Sequence, residues 1–247
     1  MTTLILLRHG RSTSNTAGVL AGRTPGVELD DKGREQAAAV VERLAPLPLA
    51  EIVTSPMLRC RQTVTPLAEA RGLVPLVEED LSEVDYGDWT GGKLAELAKE
   101  DLWKVVQAHP SAAVFPGGEG LAGMQARAVA AVRHHERRIA EAHGPHAIWV
   151  ACSHGDVIKA VLADALASHL DNFQRIVVDT CSISVVTYTR TRPFVARVND
   201  VGGDVAALLP PPPKEGEEGQ GDGVAEPAAE PAAEPSSDAV VGGSTGA

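Results

Sequence analysis

The sequence predicts an α/β fold: a three-layer α/β/α sandwich built on a mixed, mostly parallel sheet. Three observations predict it. Apolar runs of four or five residues, the length of strands, alternate with longer amphipathic stretches. The last two runs are separated only by "RTRP", which reads as a hairpin and makes the sheet mixed. Hydrophobic residues make up 44% of the chain and aromatics only 3%, so the core is aliphatic.

Leu4–Leu7 is the first strand, and it stops at Arg8-His9-Gly10. Asp30–Leu44 reads as a helix with Asp30 placed to cap it, since a short carboxylate can accept from the unpaired amides of a first turn. Glu51–Thr54 is the second strand. Ser55 and Pro56 mark the start of a helix over Pro56–Ala70, with Arg59 just inside it. A loop, "LSEVDYGDWTG", follows where no helix has begun. Gly92–Ala108 and Leu121–Ala142 read as helices, and Ala147–Ala151 as a strand ending at Ser153-His154-Gly155-Asp156. Asp156 is placed to cap a last helix that runs to Leu166. Ile183–Thr187 and "FVARVND" form the edge hairpin. Helices between strands imply a parallel sheet covered on both faces.

Composition changes near Gly202-Gly203. Beyond lie Pro210 to Pro213 and "EPAAEPAAEP", rich in Pro, Ala and acid and poor in large apolar residues. Such a segment cannot offset the entropy of ordering, so residues 204–247 are expected to be a disordered acidic tail behind one domain over 1–203. Nine acids and one base (Lys214) fall from Asp204 onward, so the tail holds −8 of the net −11 and the body −3. A nearly neutral body lacks the basic face a nucleic-acid binder needs. Cys60, Cys152 and Cys181 share no metal-ligand or redox spacing, which fits a reducing compartment. The start of the chain carries no basic region before a signal-like apolar run, and no stretch is long enough for a membrane helix. A cytoplasmic location without membrane contact is expected.

In a parallel α/β sheet, ligands bind beyond the carboxyl ends of the strands. Three strands here deliver Arg8-His9, Arg59 and His154 to that rim. Two guanidiniums are forked donors suited to phosphoryl oxygens. An imidazole can attack phosphorus and form a covalent intermediate. Amides at the start of the helix after His154 add donors for an anion. The missing group is a proton source for the leaving oxygen, and the loop offers Glu83, Asp85 and Asp88.

Five segments, "RHGRSTSN", "TSPMLRCRQT", "LSEVDYGDWTG", "FPGGE" and "SHGDVIKAVL", occur in this order between Leu4 and about Asp200. Together they resemble the histidine phosphatase superfamily, the phosphoglycerate mutase-like branch 1. A lone RHG is weak, whereas all five in order are specific. The resemblance implies His9 as nucleophile, Arg8 and Arg59 as phosphate clamps, and His154 as the second histidine. It implies Glu83 as the acid that protonates the leaving group, and later the base that activates water. Asn15 and Gly22 match positions that touch the phosphoryl group or substrate, with Ser12 a candidate through its hydroxyl. Arg11 stands where many members have Glu or Gln, and Gly120 where Ser is usual.

The resemblance implies a small phosphate ester as substrate, no cofactor and no metal. Zinc-type spacings such as HxH and HExxH are absent, and guanidiniums beside the histidines repel a cation. Phosphoglycerate mutases of this family carry a paired-arginine segment. Between Gly92 and Glu119 this chain has Lys93, Lys99 and Lys104 but no arginine. A phosphatase is therefore favoured over a phosphomutase. A phosphate-binding module is the non-enzymatic alternative, but it has no use for two histidines and an acid. Whether the chain is a monomer or a homodimer stays open, as does the substrate, which depends on the lid over residues 91–118. The remaining histidines (His109, His134, His135, His143, His146, His169) are expected at the surface or at helix ends. Cys60 and Cys152 are expected to pack.

Overall fold

A computed structural model describes residues 1–203, so the segment read as an acidic tail lies outside the described residues. Alternation within the first strand, β1 (Thr2–Arg8), sets the layers. Leu4 and Leu6 enter one hydrophobic core while Ile5 and Leu7 enter another, because successive strand residues face opposite sides of a sheet. The other strands are β2 (Leu49–Thr54), β3 (Leu76–Val77), β4 (Ile148–Ser153), β5 (Ile183–Tyr188) and β6 (Pro193–Asp200). They form one sheet in the order β3-β2-β4-β1-β5-β6. β1, β2, β3 and β4 pair in parallel, while β5 runs antiparallel to β1 and to β6, the expected edge hairpin.

The helices are α1 (Thr13–Thr16), α2 (Asp31–Arg43), α3 (Leu58–Arg71), α4 (Leu94–Leu97), α5 (Asp101–Ala108), α6 (Leu121–His143) and α7 (Gly155–Ala165). α2 and α3 bury Val40, Cys60, Val64 and Leu67 with Ile5 and Leu7. α6 and α7 bury Met124, Val132, Ile158 and Val161 with Leu4 and Leu6 on the other face. Asp30 caps α2 as expected, its carboxylate accepting from the Gly33 amide at 2.8 Å.

Three local expectations are corrected. The helix expected over Gly92–Ala108 is two, α4 and α5, broken at an extended Glu100. The apolar spacing hints at the break: after Leu94 and Leu97, the next large apolar residues are Leu102 and Trp103. After the break Trp103 stacks on Trp89, with ring centroids 6.2 Å apart. The α7 cap is His154, not Asp156, which lies in the first turn and accepts from the Tyr86 hydroxyl at 2.9 Å. His135 is buried in α6, bonded to Glu78 at 2.8 Å, so it is not a surface residue.

Register brings the strand ends together. Arg8 lies opposite Ser153, and Thr54 opposite Cys152. The ladders continue one residue further, with the His9 amide donating to Ser153 O at 3.0 Å and the Ser55 amide to Cys152 O at 2.9 Å. Three parallel strands thus end on one line. No helix of the described residues is long and apolar enough to cross a membrane.

Candidate active site

His9 leaves β1 as the strand ends, and the chain after it is pinned in two ways. The Gly10 amide donates to Thr63 Oγ1 at 2.9 Å, and that hydroxyl donates to Arg59 O at 2.7 Å, tying the loop to α3. The loop also presses against the start of α2. A Cβ at Gly33 would lie 2.0 Å from the Arg11 carbonyl oxygen, and one at Gly10 would lie 2.7 Å from the Gly33 oxygen. Only hydrogens fit between these backbones. Gly33→Ala is expected to lower stability by about 1–3 kcal/mol, the overpacking range, and to reduce kcat by displacing His9. Thermal melting and steady-state kinetics check both effects.

The His9 ring has a defined tautomer. Nδ1 lies 2.8 Å from the Gly10 carbonyl oxygen, which can only accept, so Nδ1 carries the proton. Nε2 then presents a lone pair, and Arg59 Nε donates toward it at 3.3 Å. Burial, with the Arg59 and Arg8 guanidiniums beside it, holds the ring well below the usual histidine range. His9 is a neutral base at pH 7.

Arg59 joins both imidazoles. Its Nη2 donates to His154 Nδ1 at 3.1 Å and to the Gly22 oxygen at 2.9 Å. Because Arg59 occupies Nδ1 as a donor, the His154 proton sits on Nε2, which donates to Ser55 Oγ at 2.8 Å and lies 3.5 Å from Cys60 Sγ. The two rings meet edge-on with centroids 5.2 Å apart. Burial and then Arg59 keep His154 neutral as well. Arg59 Nη1 is buried and has no hydrogen-bond partner among the described residues. A buried charged donor of this kind is costly unless something anionic meets it. Arg8, fully buried beside it, donates from Nη1 to Val178 O at 2.7 Å.

Of the three acids in the loop, the structure brings only Glu83 to the histidines. Glu83 is 3% exposed, and its Oε2 lies 3.7 Å from His154 Nδ1. Asp85 bonds the Gly87 amide within its own turn, and Asp88 is exposed. Burial raises the Glu83 pKa to about 7, and the Asp156 carboxylate adds to the rise against Arg59, the Val84 amide and Arg8. Burial is thus what shifts this carboxyl away from the usual carboxylate range.

The outer candidates divide. Gly22 contributes its carbonyl to Arg59, and its φ of +50°, with Thr90 and Tyr86 packed close, disfavours a side chain there. Ser12 caps α1, donating from Oγ to Asn15 Oδ1 at 2.8 Å and accepting from the Asn15 amide. That box ties Asn15 to Ser12. Arg11 pairs with Asp30 at 2.7 Å, so its charge is spent on the α2 cap and not on the mouth. Sequence reasoning missed Ser55, Thr63, Arg23 and Arg127. The first two are small hydroxyls with no signal of their own. Arg23 and Arg127 meet the Glu119 carboxylate of "FPGGE" at 2.9 and 2.6 Å, and Arg127 recurs below.

The sequence profile of the histidine phosphatase superfamily (branch 1) matches residues 4–201. Phosphoserine phosphatase 1 of Hydrogenobacter thermophilus is 29% identical over 202 residues, covering 81% of this chain and 92% of that protein. Glucosyl-3-phosphoglycerate phosphatase of Mycobacterium tuberculosis is 31% identical over 174 residues, covering 69% of this chain and 78% of its own length. The solved structure of the mycobacterial glucosyl-3-phosphoglycerate phosphatase superposes with a TM-score of 0.72 at 26% identity, covering 80% of this chain and 98% of that one.

Proposed function

This chain belongs to branch 1 of the histidine phosphatase superfamily, and from that premise we propose that it hydrolyses a phosphate monoester through a phosphohistidine on His9. The observation that carries the reading is Arg59. One guanidinium touches both imidazoles and keeps a buried nitrogen without a partner, which is where a phosphoryl oxygen completes the site.

The geometry supports the following steps. His9 Nε2 attacks phosphorus, the P–O bond to the leaving group breaks, and Glu83 gives its proton to the departing oxygen. Arg8, Arg59 and His154 surround the transferring group, and the start of α7 directs its dipole there. Water then attacks the phosphohistidine and returns a proton to Glu83, the N–P bond breaks, and inorganic phosphate leaves. The positive field comes from guanidiniums, so no step requires a metal ion.

Hydrolysis is favoured over mutase chemistry by the cations around the mouth. Arg11 is paired with Asp30, and Arg23 with Glu119. Lys99, just past α4, pairs with Glu96, and Lys104 pairs with Asp101 within α5, both out in solvent. These groups are already engaged, and a phosphoglycerate carboxylate would have to compete for them. Two similar proteins are named as phosphatases of phosphoserine and of glucosyl-3-phosphoglycerate, so these head the substrates to try. A panel of phosphate esters with the purified protein is the test. Release of inorganic phosphate without interconversion of 2- and 3-phosphoglycerate is expected. Interconversion faster than release overturns the reading.

The pH profile carries a sign. An acid catalyst must be protonated, so kcat/KM on an alkyl phosphate is expected to fall as pH rises through about 7, the value for Glu83. The nucleophile must be neutral, and His9 lies well below 6.5, so the acid limb is displaced well below that value. A rate that climbs between pH 6 and 8 contradicts the assignment.

A further inference from the structure

We propose that Arg127 is the positioning residue that holds the catalytic acid. The inference rests on the phosphatase reading above and adds to it a residue that touches neither histidine. All five guanidinium N–H donors of Arg127 are spent. Nη1 donates to Asp80 O at 2.7 Å and to Ser82 O at 2.8 Å. Nη2 donates to Glu83 O at 3.2 Å and to Glu119 Oε1 at 2.6 Å, and Nε donates to Glu119 Oε2 at 3.0 Å. A guanidinium has five donors in a fixed plane, so this set is saturated.

The arrangement hangs the acid's backbone from a rigid element. Arg127 projects from α6, which is 23 residues long and buried along one face. Three loop carbonyls, from Asp80, Ser82 and Glu83, converge on its one side chain. Glu119 supplies the counter-charge and a second tie, since its Oε1 accepts from the Asp85 amide at 2.9 Å and from Arg23 Nη2 at 2.9 Å. Arg23 Nε adds a further donor to Glu83 O at 2.9 Å. At the far end, Ser153 Oγ donates to Leu81 O at 2.7 Å, fixing the loop to the end of β4. The Glu83 side chain itself has little to hold it: Oε1 accepts from the Val84 amide, and Oε2 stands 3.7 Å from His154. Its aim is set through the backbone, where Arg127 makes three of the ties and Arg23 and Ser153 one each.

Lysine in place of arginine keeps the charge but has three donors from a single nitrogen, so it cannot span three carbonyls and a carboxylate. Misplacing a catalytic group by about 1 Å costs on the order of 100-fold. Arg127→Lys is therefore expected to slow phosphoenzyme formation from an alkyl phosphate by roughly 10- to 100-fold. Formation from p-nitrophenyl phosphate, whose leaving group needs no proton, should change less than about threefold.

The test is a double-mutant cycle in the full chain, read by single-turnover phosphoenzyme formation with both substrates. If Arg127 acts through Glu83, then Glu83→Gln/Arg127→Lys should be no slower than Glu83→Gln alone. Arg133→Lys on the same helix, which disturbs a pair with Asp164, should show no leaving-group dependence. Should Arg127→Lys fail to fold, Glu119→Gln removes the counter-charge with less disturbance and should give a weaker defect of the same selectivity. Equal losses on the two substrates, or losses that multiply in the double variant, overturn the proposal while leaving the phosphatase reading intact. If Glu83→Gln itself shows no leaving-group dependence, the acid assignment falls, and this inference falls with it.

Discussion

His9→Ala is expected to abolish turnover, by on the order of 10⁴-fold or more, the scale seen when a nucleophile is removed. No neighbouring group can substitute. His154 Nδ1 already accepts from Arg59, and its Nε2 carries the proton donated to Ser55. Cys60 is buried behind His154. The variant should still fold, because the imidazole is neutral, belongs to neither hydrophobic core, and makes only a bond to its own neighbour's carbonyl and a longer one from Arg59. A stability change below about 2 kcal/mol is expected, read by melting. Quenching the wild type without acid after mixing with labelled substrate should trap a label that is acid-labile and base-stable, as a phosphoramidate is. His9→Ala should trap none. Retention of more than about one hundredth of wild-type activity removes His9 from the nucleophile role, since the loss of a nucleophile costs far more.

The rim was legible in the sequence because it follows from topology. Once apolar runs and amphipathic stretches are seen to alternate, parallel pairing follows, and the residues just past Leu7, Thr54 and Ala151 must share an edge. The hairpin at β5 and β6 was legible for a related reason, since four residues leave no room for a crossover. Features fixed by tertiary packing were less so. The break between α4 and α5 is hinted at by the delay between Leu97 and Leu102, but the stacking of Trp103 on Trp89 decides it. Asp156 looked like a cap because its residue type suits one. It turns inward instead because Tyr86 offers a buried hydroxyl and Lys159 a buried ammonium 3.6 Å away. Nothing in the sequence marks Asp30 as the partner of both the α2 amides and Arg11. Arg127 gave least warning of all. In sequence it is one more arginine on an amphipathic helix, and its five bonds go to four residues, three of them in the distant segment 80–83.

Glu83→Gln is expected to separate acid catalysis from phosphoryl transfer. An alkoxide leaves poorly without a proton, whereas p-nitrophenolate departs readily, so a general acid matters for one and little for the other. The variant should slow phosphoenzyme formation from alkyl phosphates by about 10²–10⁴-fold, the usual contribution of general acid catalysis. It should leave formation from p-nitrophenyl phosphate close to wild type. Glutamine keeps the shape and can still accept from the Val84 amide, so a fold-wide cause is removed from the comparison. Its neutral amide also mimics the protonated carboxyl that the raised pKa of about 7 favours below neutrality. Turnover should still stall after the first step, because the same group must take a proton from the attacking water. A burst of p-nitrophenol followed by a slow steady rate is the expected trace. Asp85→Asn and Asp88→Asn should show neither the burst nor the selectivity, since one carboxylate serves its own turn and the other faces solvent. EDTA should leave every one of these rates unchanged, because Arg8 and Arg59 carry the charge that a cation would supply. If the selective defect appears in Asp85→Asn instead, the proton comes from the wrong carboxylate in this scheme. If EDTA stops the wild type and Mg²⁺ or Zn²⁺ restores it, the guanidinium field is not sufficient and the metal-free route fails.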